Sequence, residues 1–323
     1  MRLLKLVPDD TNFDFLRWRK LAIVISTVLI IASVALIAVR GLNFGVDFAG
    51  GQLIRVTFAQ PVSVDDLRDQ VGDLGLGDPS IQEFGSSREV AIRLPLPEGG
   101  EAGANAAASR VRQALVQQYP GARIDAVETV SGKVSGELVR SGALALLLAM
   151  IGIAIYIWVR FEWQFGVGGL FSLFHDVTLT LGFFALTQME FDLNVIAALL
   201  TLIGYSLNDT IVIYDRVREN LRKFRKMDIE PLLNLTMNET LSRTVATNFA
   251  MLLALGSLSL LGPEVIQSFT IALLFSVIVG TYSTIYIASP FLIWLKVNSD
   301  SFLPKTAAPG TTERGEHQEG YTR

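Results

Sequence analysis

Long apolar runs alternate with short charged blocks along most of this chain. Six runs, at roughly 21–39, 138–159, 165–187, 193–214, 244–261 and 265–295, can each cross a bilayer as helix, which takes about 20 residues. The sixth is long enough to tilt or to extend past the lipid. The fourth and fifth are broken by polar residues.

Between the first two runs lies a polar segment, 42–136, with a different rhythm. Leu53-Ile54-Arg55-Val56-Thr57-Phe58 predicts a strand. Ser63 is placed to cap a helix whose Val64, Leu67, Val71 and Leu74 recur at helical spacing. Strands near 80–84 and 89–94 follow, then a helix with Ala107, Val111, Ala114 and Leu115 on one face, then a strand near 123–130. The order β-α-β-β-α-β is that of a split-βαβ, ferredoxin-like unit. Asp65, Asp66, Arg68, Asp69 and Asp73 read as a solvated helix face. Later, 227–241 predicts an amphipathic cytoplasmic helix opened by Pro231, and 296–323 a disordered cytoplasmic tail rich in Pro, Gly, Thr and charge.

Lys and Arg orient the spans. Arg17, Arg19 and Lys20 precede the first, Arg160 follows the second, Arg216, Arg218, Arg222, Lys223, Arg225 and Lys226 follow the fourth, and Lys296 follows the sixth. With both termini inside, all fall on the cytoplasmic side, while the connections on the other side carry Glu190, Asp192 and Glu264. The expected layout is a cytoplasmic N-terminus (1–20), a first transmembrane helix (21–40), an outer ferredoxin-like domain (41–136), and helices two to six (137–295) with a cytoplasmic loop at 215–243. The first span is expected to stay as an anchor although Ser33-Val34-Ala35 has the small residues of a cleavage site, because its apolar stretch exceeds a signal-peptide core.

Composition narrows the chemistry. The chain has 323 residues, is 50% hydrophobic and has a mean hydropathy of +0.43, more apolar than an ordinary soluble domain. It has no Cys, which excludes disulfides and thiolate chemistry, and its two His leave no multi-histidine metal site. No cofactor is expected, and no nucleic-acid partner.

The ionisable groups inside the spans carry the functional reading, because such a charge costs at least about 2.5–3.5 kcal/mol to insert. Thr201, Tyr205 and Asp209 recur every four residues down the fourth span, with Asn208 beside them. Burial favours the neutral acid and a nearby cation the carboxylate, so an acid held between the two can load and release protons. Arg243 opens the fifth span on the face shared by Thr244, Thr247 and Asn248, near the same membrane side, and stays charged throughout. His175 and Asp176 lie in the middle of the third span, with Ser172 and Thr180 spaced about Asp176. These groups form either a proton pathway or an interhelical network. At the exit of the first span, GLNFGVDFAGG (41–51) lacks Walker spacing. Gly45, Asp47, Gly50 and Gly51 read as a tight turn or hinge into the outer domain.

Four stretches together carry a resemblance: FGVDFAGG (44–51), HDVTLTLGFFAL (175–186), IGYSLNDTIVIYDRVREN (203–220) and NETLSRTVATN (238–248). Standing in this order around one outer domain, they resemble the SecF family, bacterial inner-membrane subunits that pair with SecD beside the SecYEG channel. The resemblance implies an α-helical polytopic fold, six transmembrane helices forming half of an RND-type transporter, with one α+β ferredoxin-like periplasmic domain between helices one and two. It implies use of the proton gradient to drive late steps of protein export. It also implies proton transport by Asp209 and Arg243, a less defined role for His175 and Asp176, and contacts with membrane lipid, the translocating unfolded polypeptide and other accessory subunits. ETVSGKVSGEL (128–138) departs from the Val-Gly-Pro turn common in relatives. Three alternatives stand beside this reading: half of an RND-type small-molecule exporter, a purely structural subunit, and an intramembrane aspartyl protease using Asp176 and Asp209, which lacks the expected Gly-Asp signature.

Overall fold

A computed structural model of the chain describes residues 7–8, 11–84, 86–96 and 100–297. The expected tail from 298 onward, with His317, lies outside the described residues. Six of the described helices are long and apolar enough to cross a membrane. The first, α1 (Arg19–Arg40), follows a short 3-10 turn at Phe15–Trp18 and stops at Gly41, whose φ of 71° suits glycine.

Next, α2 (Val46–Ala49) leads into β1 (Gly51–Thr57), α3 (Val64–Gly72), β2 (Ser80–Phe84), β3 (Ser86–Leu94), α4 (Gly100–Gln118) and β4 (Arg123–Val130). The four strands form one antiparallel sheet in the order β2-β3-β1-β4. Each β-α-β crossover therefore leaves room for one strand between its two ends, the split arrangement. Ser63 Oγ accepts from the Asp66 amide and starts α3. Ile54, Val56 and Ile92 from the sheet close on Leu67, Val71, Val111 and Leu115 from the two helices, all fully buried. This domain has its own core, separate from that of the spans.

The chain then returns through α5 (Gly132–Arg160), α6 (Trp163–Thr187), α7 (Leu193–Lys223), α8 (Ile229–Leu261) and α9 (Gln267–Ser283). A π turn at Thr284–Ala288 joins α9 to α10 (Ser289–Trp294). Pro290 has no amide hydrogen to give the preceding turn; the widened turn precedes it, and Ser289 Oγ donates to the Thr284 carbonyl at 3.0 Å. α6, α7 and α9 form the interior of the bundle, while α1, α5 and α8 leave most of their apolar faces uncovered in this chain. α1 reaches α6 closely because Gly182 has no side chain; a Cβ there would overlap Ser33.

The stretch between the fourth and fifth spans is more continuously helical than the sequence suggests. Residues 229–241 form the first turns of α8, continuous with the fifth span, and only 224–228 separates α7 from α8. No Gly or further Pro follows Pro231 before Gly256, so nothing breaks the helix where the chain turns apolar.

The small domain is moored on the α6–α7 connection. The Phe191 amide donates to the Asn43 carbonyl at 2.8 Å, and the Gly45 amide donates back to the Phe191 carbonyl at 2.9 Å. Arg93 on β3 pairs with Glu190 at 3.0 Å and donates to the Phe44 carbonyl at 2.9 Å, with both charged side chains largely buried.

Candidate functional site

Asp209 lies on the inward face of α7, 8% exposed. Its Oδ2 accepts from Asn248 Nδ2 on α8 at 3.1 Å. Asn248 also donates to Thr281 Oγ1 on α9 at 2.7 Å and accepts from Tyr205 Oη on α7 at 2.7 Å. One amide thus joins three helices around the acid. Asn can do this because it carries donors and an acceptor on one short side chain.

The other residues expected near Asp209 divide. Thr244 is buried one turn from Asn248. Arg243 is exposed on α8, and among the described residues no hydrogen bond or ion pair joins it to Asp209, although its charge is near enough to act on the carboxylate. Thr201 and Asn208 face outward on α7, and Thr201 Oγ1 is turned back onto the Ala197 carbonyl at 2.8 Å. Thr247 is exposed and donates to the Arg243 carbonyl at 3.1 Å. Thr281 escaped the sequence reading. A single hydroxyl in an apolar run carries no distinguishing signal.

His175 and Asp176 form a second polar cluster with no exposed surface. Asp176 Oδ1 faces His175 Nδ1 at 2.9 Å. Asp176 Oδ2 accepts from Ser206 Oγ on α7 at 2.6 Å and from Ser283 Oγ on α9 at 2.9 Å. Ser172 Oγ donates to Ser283 Oγ at 3.1 Å, and Thr180 Oγ1 donates to the Asp176 carbonyl at 2.8 Å. Ser206 stands one turn before Asp209 on α7, so the two clusters share that helix.

The glycine segment lies where α1, the small domain and α7 meet. Gly45 precedes α2, and Gly50 and Gly51 have φ of 71° and 119°. A Cβ on Gly51 would stand 2.6 Å from the Leu94 carbonyl oxygen. Asp47 Oδ2 accepts from the Leu193 amide at 2.9 Å, the first amide of α7. Asp192 caps the same helix end through Oδ1 to the Val195 amide at 3.0 Å. Burial pushes the Asp192 carboxyl above the ordinary range, against the pull of Asn194 and the Val195 amide, with nearby Glu190 and Asp47 adding to the rise.

Comparisons with known proteins agree along the chain. A family described as "Protein export membrane protein SecD/SecF, C-terminal" matches residues 110–298, and one described as "SecD/SecF GG Motif" matches 35–62. "Protein translocase subunit SecF" of Rickettsia rickettsii is 43% identical over 90% of this chain and 94% of its own. The protein of that name from Rhodobacter capsulatus is 43% identical over 95% and 98%. Among solved structures, a Thermus SecDF described as a translocon-associated membrane protein superposes with a TM-score of 0.83 at 31% identity, covering 90% of this chain. This chain spans only 40% of that one. SecDF in a "Super-membrane-facing form" gives 0.65 at 30% identity over 89% of this chain.

Proposed function

This chain belongs to the SecD/SecF family of protein-export membrane proteins, and on that premise we propose that it is the proton-using half of a translocation motor. In this reading it sits in the bacterial inner membrane with both termini cytoplasmic, pairs with a SecD half, and acts beside SecYEG on late stages of export. The ferredoxin-like domain is periplasmic and moves while the emerging chain is handled. Asp209 carries the proton and Arg243 is its counter-ion.

The observation that carries the reading is the setting of Asp209: an acid within the bundle, held by one amide donor, with a cation close by and unpaired to it. When Asp209 is ionised, the carboxylate draws Arg243 inward. When it is protonated, the acid stays on Asn248 and Arg243 returns to the outer face. α7 and α8 change their mutual fit between the two states. One charge crossing 100 mV releases about 2.3 kcal/mol, enough to redistribute a two-state equilibrium nearly fiftyfold. The movement reaches the domain through Asp47 and Phe191, which hold it to the other end of α7.

Proton flux and export by vesicles containing Asp209→Asn with the SecD partner test this. The amide resembles the protonated acid, so proton-driven export should be lost while the complex still assembles. Export at the normal rate would end the assignment. Arg243→Met should fail in the same way, with Arg243→Lys recovering part of the activity.

A further inference from the structure

The third span holds a polar atom that the Asp209 cycle leaves unused. His175 Nε2 is fully buried and has no hydrogen-bond partner among the described residues. The ring lies against Tyr282 on α9, centroids 6.1 Å apart. Its other nitrogen, Nδ1, faces Asp176 Oδ1, and the opposite carboxylate oxygen takes two serine hydroxyls.

This arrangement fixes where the protons sit. Three donors around Asp176 suit a carboxylate, whose two oxygens only accept. His175 Nδ1 then carries the hydrogen and Nε2 bears a lone pair. The converse, a protonated Asp176 donating to Nδ1, would put an N–H on Nε2 with no acceptor. Orphaned buried N–H groups are the rarer defect. The geometry therefore assigns His175–Asp176 as a second proton-binding site, with His175 Nε2 as the accepting atom and Ser206 and Ser283 fixing the carboxylate. Uptake adds one proton from water to Nε2; Asp176 stays ionised, and the pair goes from one negative charge to none. No other group need change its protonation.

Few other charges compete for the site. α1 between Lys20 and Arg40, the interior of α9, and the segment from Thr284 to Trp294 carry none. Among the described residues, Tyr282 from α9 lies against the ring, its Oη engaged with Ser26 and the Ala22 carbonyl, and Tyr205 and Asp209 stand on α7 within a turn of Ser206. The protonated ring presents an N–H that this packing leaves without an acceptor. Uptake therefore favours a shift of α6 against α1 and α9, or entry of water. A proton on His175 is thus coupled to a rearrangement of the packing at Nε2 or to its hydration. The inference rests on the reading that protons drive the chain, but it concerns a different atom and can be tested apart from it.

The chain has only two histidines, so His317→Asn leaves His175 as the single imidazole. Nitrogen-15 NMR of that full-length protein in lipid nanodiscs should show the neutral Nδ1–H tautomer at alkaline pH and conversion to imidazolium as pH falls. The conversion should persist in Asp209→Asn. In Asp176→Asn the balance of the two neutral tautomers should change, since the carboxylate that accepts from Nδ1 is lost. The Nε2–H tautomer, or no conversion between about pH 5 and pH 9, would overturn the assignment; neither measurement needs the Asp176 variant to fold. A midpoint that moves when sodium replaces potassium would overturn it too, by giving the carboxylate and serines to a metal cation. If Asp209→Asn exports normally while His175 still titrates, the Asp209 reading falls and this site stands.

Discussion

Asn248 Nδ2 donates to Asp209 Oδ2 across 3.1 Å, so the acid of the fourth span is held by an amide of the fifth. The same side chain accepts from Tyr205 and donates to Thr281. Replacing it with Leu removes every one of these bonds at nearly constant volume. Each ordinary hydrogen bond contributes about 0.5–1.5 kcal/mol net, and three are lost together, so Asn248→Leu should lower proton-driven export at least about tenfold. The measurement is export by vesicles with and without a proton gradient; loss confined to the gradient-dependent part places the defect at the acid.

Arg93 and Glu190 join the small domain to the α6–α7 connection through a largely buried pair. Removing one partner leaves the other charge uncompensated, which costs about 3–5 kcal/mol at a fully buried site. Some exposure here lowers that figure. Arg93→Leu should loosen the domain without unfolding its core. Proteolysis at the 188–192 connection should speed up while cleavage inside the domain stays slow.

Gly51 has a φ of 119° and faces the Leu94 carbonyl at a distance no side chain tolerates. Gly51→Ala adds a conformational cost of at least about 1–2 kcal/mol and forces β1 away from β3. Thermal unfolding of the full chain should fall by several degrees. Gly132→Ala, at a site with open space around it, should leave it unchanged.

Asp192 gives a pH signature. Its carboxyl is raised in the folded chain by burial, so the folded state holds the proton more firmly than the unfolded state. Its contribution to stability is therefore greatest below the ordinary carboxylate range, and declines as pH rises from that range through the raised value. Asp192→Asn keeps an N-cap acceptor for Val195 and removes the charge. It should flatten this part of the Tm-against-pH curve and raise Tm on its alkaline side; an unchanged slope would show that another group sets it.

Much of the architecture was legible in the sequence. Six apolar runs announced the spans, and the strand and helix patterns between the first two announced the order β1, α3, β2, β3, α4 and β4, with β2 and β4 at their observed bounds. Asp209 was legible because a carboxyl in an apolar run is costly. Its immediate partner was not. Spacing along α8 puts Arg243 and Asn248 on neighbouring turns, and only the rotation of α8 against α7 decides which reaches the acid. Ser206 and Ser283 were missed because serine is common in spans and satisfies itself on its own helix. The Arg93–Glu190 pair joins residues nearly a hundred positions apart, beyond any local pattern. The continuity of α8 was hidden because the change from polar to apolar resembles a boundary, whereas a helix crosses it freely when no breaker intervenes.

Phe191 and Asp47 have a mechanical corollary. With main-chain bonds on both sides of Phe191 and the first amide of α7 seated on Asp47, no slack tether separates the domain from the helix that carries Asp209. A rotation of α7 must arrive at the sheet as a tilt, and a load pulling on the sheet must be felt as torque on α7. In the proposed cycle, the sheet and the helix that bears Asp209 act as the two arms of one rocker.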